Sequence, residues 1–264
     1  MGFFDSFKSN QLGTKAYRMH VSAMQLRKTG KYAESEARLD EAIQLYNQAY
    51  ESGFRKSNVL QGYALLLMRR GQFERAREIM LECSKDKQMS ADDRFTLRVD
   101  FSICQWKMGR LDKAIETVRS AAQTKMNGTV YNTLGMYLVE QARQTGDFEE
   151  AVRFNQEAYE YDDEDAGVLD NLGQIYLAMS EKSRAAGENE QADEQRAKAM
   201  EYLKKAYEIK PEQISSAYYY ARALHESGDD DQARTILKKT MELPFSAILQ
   251  ISREDAEALL KKIG

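Results

Sequence analysis

The sequence predicts an all-α fold, an α-solenoid of helix–turn–helix repeats that ends in a C-terminal capping helix. Three observations predict it. A short phrase that begins with glycine recurs at nearly constant spacing, amphipathic helical runs flank each copy, and strands with alternating apolar residues are missing. Only two prolines occur in 264 residues, so long helices can run uninterrupted. A fixed period of this size is typical of stacked supersecondary units.

The recurring phrase is a glycine, a polar residue, usually an aromatic residue or leucine, two further residues and a small one. We find five copies: Gly30 to Ser35, Gly71 to Ala76, Gly109 to Ala114, Gly146 to Ala151 and Gly228 to Ala233. The first four glycines are 41, 38 and 37 residues apart. Glycine adopts left-handed backbone angles easily and often ends a helix. Each phrase therefore predicts the turn between the two helices of a repeat.

The helices on either side of each turn carry apolar residues three and four positions apart, which share one helical face. The fourth repeat reads Tyr131-x-x-Leu134-Gly135-x-x-Leu138, and the fifth reads Leu169-x-x-Leu172-Gly173-x-x-Tyr176. We expect the small residues Gly135, Gly173 and Ala221 to let paired helices approach closely.

These residues resemble the tetratricopeptide repeat family, whose pattern is aromatic-x-x-Leu-Gly-x-x-Tyr, then Ala, an aromatic residue, Ala and a closing proline. Pro211 fits the closing position. The resemblance implies a right-handed superhelix over residues 14–247. It predicts six repeats, at about 16–56, 57–94, 95–127, 128–165, 166–213 and 214–247.

The fifth repeat is fourteen residues longer than the pattern. Its extra segment, Ser180–Arg196, is polar and rich in helix-forming residues. A break at Ala186-Gly187 indicates that both helices run on by about two turns each. Two interpretations stay open: a solvated extension, or an arm that contacts a partner or a second subunit.

Charge is unevenly distributed, although the net charge is only −4. Residues 1–132 hold 22 Lys and Arg against 15 Asp and Glu, and residues 133–264 hold 16 against 27. Such polarity can steer encounters, or the charges can simply cover solvated faces. The basic half contains no Arg/Lys stripe with interleaved aromatic residues, so we do not expect nucleic acid as a partner.

No stretch reaches the roughly 20 apolar residues of a membrane span, and the N-terminus lacks the features of a secretory signal. Cys83 and Cys104 both fall on apolar helical faces, which favours buried thiols over a disulfide. These features together predict a cytoplasmic protein.

The search for catalytic chemistry finds no nucleophile, metal or phosphate motif. The two histidines, His20 and His225, fall in the first and sixth repeats. The acidic run at residues 162–165 fails the calcium-loop pattern. It fits a turn that places negative charge at the next helix N-terminus. We therefore expect no enzyme, no cofactor and no metal.

The family resemblance implies that the first helix of each repeat lines a concave groove for protein or peptide partners. Carrying that register onto this chain gives an apolar strip followed by a more polar region. The predicted groove residues are Met24, Leu65, Met68, Ile103, Trp106, Asn132, Met136, Asn171, Gln174, Tyr218 and Arg222. The alternative for the methionines and leucines is a place in the core. The lysine and arginine residues that form the family's carboxylate clamp are absent from the corresponding positions of this chain.

The two ends fall outside the repeats. Residues 1–13 form an N-terminal apolar segment with Phe3, Phe4 and Phe7, which either caps the first repeat or docks elsewhere, in the same molecule or another. Residues 248–264 predict a capping helix that begins near Ser252.

The predicted function is a non-catalytic adaptor or scaffold that binds proteins or peptides along the groove. Two alternatives remain. One is a structural protein that assembles with copies of itself through its charge-polarised ends and N-terminal segment, as a homo-oligomer. The other is a regulatory receptor for a small signalling peptide.

Overall fold

The computed structural model describes residues 3–264, with side chains from residue 7 onward. Over those residues the regular structure consists of thirteen α-helices, with no strand. The helices belong to two compact units. The apolar periodicity of the sequence explains both the helices and the faces that they bury.

The N-terminal unit contains Met1–Gly109 and Ser246–Ile248. Its helices are α1 (Phe3–Lys28), α2 (Tyr32–Glu51), α3 (Ser57–Arg69), α4 (Phe73–Cys83) and α5 (Ala91–Lys107). The C-terminal unit contains Arg110–Phe245 and Leu249–Gly264. Its helices are α6 (Leu111–Ala122), α7 (Gly128–Thr145), α8 (Glu149–Tyr161), α9 (Ala166–Ala185), α10 (Asn189–Ile209), α11 (Ile214–Glu226), α12 (Asp230–Met241) and α13 (Arg253–Ile263).

The phrase glycines make the predicted left-handed turns. All five have φ between 74° and 88°, and no other residue type in the described chain has a positive φ. After Gly30 the amide of Lys31 donates to Leu26 O at 3.0 Å, and after Gly71 the amide of Gln72 donates to Leu67 O at 2.9 Å. These bonds reach back five residues and close the helix C-terminus.

A sixth copy of the phrase lies in the fifth repeat, and the sequence analysis missed it. Gly187 has φ 82°, and the amide of Glu188 donates to Ser183 O at 2.9 Å. Gly187 lies 41 residues after Gly146 and 41 before Gly228, and Ala192 occupies the small position of the phrase. The copy was hidden because polar Asn189 stands where the other copies mostly carry an aromatic residue or leucine.

The extra fourteen residues of the fifth repeat divide equally between α9 and α10. Ser180 and Ala192 meet near the Gly187 turn, where Ser180 Oγ donates to Ala192 O at 2.7 Å. Seven residues further from the turn in each helix are Gly173 and Ala199, which match the family pattern. Seven residues make about two turns, so the same helical face continues through both insertions. The prediction that both helices run on is confirmed.

Small residues allow close helix packing where they were predicted. A Cβ atom at Gly173 would overlap the buried side chain of Leu203, and one at Gly135 would overlap the side chain of Asn155. Ala221 is fully buried.

The core of the N-terminal unit is built around aromatic and aliphatic residues. Tyr46 and Tyr63 stack with their ring centroids 5.2 Å apart. Leu12, near the start of α1, packs against this core. Phe7 is exposed. The side chains of Phe3 and Phe4 lie outside the described residues, so docking of the apolar segment stays a prediction.

Polar residues cap the helices of the C-terminal unit. Asp165 ends the acidic run and accepts hydrogen bonds from the amides of Gly167 and Val168 at 2.8 and 3.1 Å, as expected for a helix N-terminus. Ser252 and Asp255 form a capping box at the start of α13. Ala256, Leu259 and Ile263 of this helix are buried.

The two cysteines are buried thiols, as the sequence predicts. Cys83 Sγ lies 3.7 Å from Ser57 O, and Cys104 Sγ lies 3.3 Å from Phe73 O. Burial raises the pKa of the Cys83 thiol to about 12, so it is un-ionised at neutral pH.

Candidate functional site

In the N-terminal unit the predicted groove residues lie on the first helices of three repeats. They are Met24 on α1, Leu65 and Met68 on α3, and Ile103 and Trp106 on α5. Met68 is fully buried in the core, which was the alternative interpretation for this residue, and the other four are half-buried. Lys107 Nζ lies 4.2 Å from the centre of the Trp106 ring. The strip therefore has four partly accessible side chains.

Within the N-terminal unit, residues 246–248 lie beside the end of α3. The amide of Ala247 donates to Arg69 O at 3.0 Å, and Ile248 packs against the core. The hydrogen bond uses main-chain atoms on both sides. It therefore does not depend on which side chains these two positions carry.

In the C-terminal unit, two predicted asparagines join neighbouring first helices. Asn171 Nδ2 on α9 donates to Asn132 O on α7 at 3.1 Å, and Asn132 Nδ2 lies 3.3 Å from Asp165 Oδ1. Asn171 is buried and Asn132 is half-buried. In this structure both side-chain amides bind atoms within the repeats, and their role toward a ligand stays a prediction.

Gln174 lies at the centre of a polar network. It is buried on α9, and its Nε2 lies 3.0 Å from Asp170 Oδ2 and 3.1 Å from Ser215 Oγ of α11. The same Nε2 is 3.1 Å from Oε1 of Gln250. Gln250 belongs to the non-helical segment between α12 and α13.

The side chain of Gln250 contacts three successive first helices. Its Nε2 donates to Glu140 Oε1 of α7 at 2.7 Å and to Gln174 Oε1 of α9 at 3.0 Å. Its Oε1 accepts from Ser215 Oγ of α11 at 3.2 Å. We call Glu140, Asp170, Gln174, Ser215 and Gln250 the Gln250 site. Here a non-helical segment of the chain lies against the first helices where the resemblance implies that a peptide binds.

The other predicted residues of this unit are Met136, Tyr218 and Arg222, and all three are half-buried. Arg222 Nε donates to Glu226 Oε1 at 3.0 Å, and its Nη2 donates to Glu181. These side chains lie on α7 and α11, the helices that also supply Glu140 and Ser215.

The electrostatics of the Gln250 site are dominated by burial of Asp170, which is 4 % exposed. Burial raises the pKa of Asp170 to about 6, although Ser215, Gln174 and Arg143 lower it. Asp170 Oδ1 has no hydrogen-bond partner within the described chain. Arg143 lies 3.7 Å from Glu140 and donates to the Tyr219 hydroxyl at 2.9 Å.

The sequence analysis missed Glu140, Ser215 and Gln250. The helical register could have included the first two, since they lie on first helices. No repeat pattern covers Gln250, and its partner Glu140 is 110 residues away along the chain. The only local signal was a Gln between Leu249 and Ile251 in a segment without helical periodicity.

The arrangement is suited to recognition, because amides, carboxylates and a hydroxyl hold a neutral side chain by directional hydrogen bonds. In the described residues, no group of three or more His, Cys, Asp or Glu could hold a metal ion. None of the helices α1 to α13 has the length and apolar character required to cross a membrane.

Comparison with known proteins places this fold among helical-repeat proteins. TTC0263, a thermophilic TPR protein of Thermus thermophilus, superposes with a TM-score of 0.59 and 17 % identity, over 79 % of this chain and 98 % of that one. Cut9–Hcn1, an APC/C hetero-tetramer, gives a TM-score of 0.55 and 13 % identity, over 94 % of this chain and 46 % of that chain. The present chain thus corresponds to less than half of that protein chain.

Part of the sequence matches a family model as well. Residues 190–243 match the family model of the tetratricopeptide repeat. Among curated proteins, none matches the chain in sequence. Residues 190–243 are thus similar to the tetratricopeptide repeat, and the fold is the predicted all-α solenoid of helical repeats. This fold in general suits adaptors and scaffolds of protein–protein interaction.

Proposed function

We propose that the protein is a non-catalytic adaptor or scaffold that binds a protein partner through an extended peptide segment. The segment lies along the first helices α7, α9 and α11 of the C-terminal unit. One observation carries the proposal: these three helices together hold the side chain of a non-helical residue, Gln250. A face that holds one such segment has the spacing and polar groups to hold another.

The half-buried residues Met136, Tyr218 and Arg222 provide apolar and polar contacts beside the Gln250 site. In the N-terminal unit, Met24, Leu65, Ile103 and Trp106 provide an adaptable apolar surface for the same or another partner. We propose a cytoplasmic location and no cofactor.

A peptide array tests this function. Overlapping ten-residue peptides of varied sequence are probed with the wild-type chain and with Met136→Glu/Tyr218→Ala, which changes the face without touching the Gln250 site. We expect a subset of peptides to bind the wild type and to lose at least about tenfold in affinity with the double variant, because two contact residues are removed. The control is Phe7→Ala, at an exposed position of α1. Equal binding by all three proteins, or no binding, would contradict the proposal.

A further inference from the structure

The Gln250 site contains more hydrogen-bond acceptors than its occupant can satisfy. The amide Nε2 of Gln250 has two hydrogens, and both are used, on Glu140 at 2.7 Å and on Gln174 at 3.0 Å. Asp170 Oδ1, one residue further into the network, receives no hydrogen bond from the described chain. Its side chain is almost completely buried. A buried acceptor without a donor is costly, so the site lacks at least one donor.

The charges around the site also favour a cation. Glu140 of α7 and Asp170 of α9 are acidic, while Ser215 and Gln213 are neutral polar groups that lower the pKa of Asp170 without placing a hydrogen bond on its Oδ1. Arg143 of α7 is the nearby cation. Its Nη1 forms an ion pair with Glu140 Oε1 at 3.7 Å and donates a hydrogen bond to the Tyr219 hydroxyl of α11 at 2.9 Å. Two carboxylates therefore share one guanidinium.

We propose that the Gln250 site is a receptor for an arginine side chain of an extended partner peptide, and that residues 249–251 occupy it as a weaker resident substitute. This inference rests on the proposed function and specifies its ligand. Arginine carries five N–H donors in a planar fork, enough for Glu140, Gln174 and Asp170 together. Its guanidinium also extends beyond the end of a glutamine side chain. Lysine offers a compact charge without the fork.

The flanking residues define the rest of the ligand. Ile251 is buried in the core of the C-terminal unit, and Leu249 packs against that core. The resident segment therefore presents a polar side chain between two apolar ones. The preferred partner peptide has the pattern apolar–Arg–apolar. The resident remains bound although it matches the site less well, because attachment to the same chain gives it a high effective concentration.

The first test measures fluorescence anisotropy with labelled ten-residue peptides of residues 243–252. One peptide keeps glutamine at the position of Gln250, and the others carry arginine or lysine there. The full-length protein is used as wild type, as Gln250→Ala, and as Gln250→Ala/Asp170→Asn. Gln250→Ala weakens the resident without removing α13, and Asp170→Asn keeps the shape of the side chain.

We expect Gln250→Ala to bind the arginine peptide at least about tenfold more tightly than the glutamine peptide, with lysine in between. Asp170→Asn should reduce that preference to less than about threefold. The wild type should bind every peptide more weakly than Gln250→Ala does. Equal affinity for the arginine and glutamine peptides, equal binding by wild type and Gln250→Ala, or no binding would each overturn the inference. If array peptides still bind in a manner that depends on Met136 and Tyr218, the proposed function survives that failure.

A second test needs no added peptide. In the intact chain, Gln250→Arg should raise the midpoint of thermal unfolding by about 3 °C, and Gln250→Met should lower it. Relative to Asp170→Asn alone, Gln250→Arg/Asp170→Asn should show no such increase, which separates a contact with Asp170 from a general effect of charge. A Gln250→Arg variant that is no more stable than wild type would overturn the inference. Helical circular dichroism confirms that each variant is folded.

Discussion

The first helices of the two units hold segments of the same connection, between α12 and α13, by different chemistry. In the N-terminal unit, Ala247 binds Arg69 through main-chain atoms, and the neighbouring predicted groove residues are apolar. In the C-terminal unit, Gln250 binds through its side chain to polar residues of three helices. A main-chain hydrogen bond can form with almost any residue at position 247. The side-chain network, in contrast, requires particular side chains. We therefore expect any selectivity for a partner's sequence to reside in the C-terminal unit.

Each unit contains one carboxyl group whose pKa is raised by burial, and we expect the largest effect from a change of pH at these two groups. Burial raises the pKa of Asp170 to about 6, so the folded state binds a proton more tightly than the unfolded chain does. The protonated carboxyl of Asp170 therefore contributes stability that is complete below the unfolded pKa of 3.8. This contribution is lost as pH rises through the folded pKa of about 6. We expect the wild type to lose somewhat more than about 2 kcal/mol from this group between pH 4 and pH 7. Asp170→Asn should abolish that part of the slope in urea unfolding.

Asp100 of the N-terminal unit is the matched control. Burial alone raises its pKa to about 6 as well, but Asp100 is half-buried and keeps some contact with water. Asp100→Asn should therefore remove a smaller part of the pH dependence. If Asp100→Asn removes more of the pH dependence of stability than Asp170→Asn does, the pKa of Asp170 is not the more strongly raised of the two.

The two units also differ in how closely their helices pack at glycine positions. Gly173→Ala would drive a methyl group into the buried side chain of Leu203, whose amide nitrogen is also only 3.3 Å from the new Cβ. Overpacking of about 3 kcal/mol exceeds the roughly 1 kcal/mol gained in helix propensity, so we expect a net loss of about 2 kcal/mol. Urea unfolding followed by circular dichroism measures it.

Gly62→Ala on α3 is the corresponding change in the N-terminal unit. Its Cβ would lie 3.3 Å from His20 Nδ1, at the end of a side chain that can adjust. We expect a change within about 1 kcal/mol of zero. A loss as large as that of Gly173→Ala would show that both units are packed equally tightly.

The segment between α12 and α13 is hydrogen-bonded at Ala247 and at Gln250, and each of these contacts can be removed separately. Gln250→Ala removes two donors and leaves Glu140 and Gln174 without them, at an expected cost of about 1.5 kcal/mol. Ala247→Pro removes one main-chain donor and should cost about 1 kcal/mol. Hydrogen exchange of residues 243–251 locates the change, and Gln25→Ala, at an exposed position of α1, serves as control. Faster exchange in Ala247→Pro than in Gln250→Ala would contradict the stronger hold of the polar network.

Sequence alone predicted most of the fold because its signals are local. Each phrase glycine lies next to the helix that it ends, and apolar spacing reports the buried face within a few turns. Gly187 escaped detection because its phrase carries polar Asn189 and because seven inserted residues in each helix separated it from the Gly173 motif. The prediction of helix extension survived, since seven residues preserve the helical face.

The site was less predictable because its chemistry is non-local. The register derived from the family includes Gln174 and Asn171 but cannot show that Asn171 binds Asn132 of the preceding repeat. Gln250 comes to Gln174 from 76 residues away, in a segment without a repeat pattern. Only the folded chain brings these groups together.

The smallest expected effect concerns a hydrogen bond between the two helices that flank a turn glycine. Each unit forms this bond with one serine and one alanine, but on opposite helices. In the N-terminal unit, Ser35 of α2 donates to Ala23 O of α1 at 2.8 Å. In the C-terminal unit, Ser180 of α9 donates to Ala192 O of α10 at 2.7 Å. In each pair the residues lie seven positions before and five after the turn glycine, with serine and alanine interchanged. Ser180→Ala should cost about 1 kcal/mol, because one buried hydrogen bond is lost.

The exchanged arrangement gives a direct rescue experiment. In Ser180→Ala/Ala192→Ser the hydroxyl moves to α10 and has the geometry of Ser35, so it should donate back to the carbonyl of residue 180. We expect urea unfolding to recover most of the stability lost in Ser180→Ala. If the double variant is no more stable than the single one, the two turns are not equivalent in geometry, and the assignment of Gly187 as a sixth phrase glycine loses its energetic support.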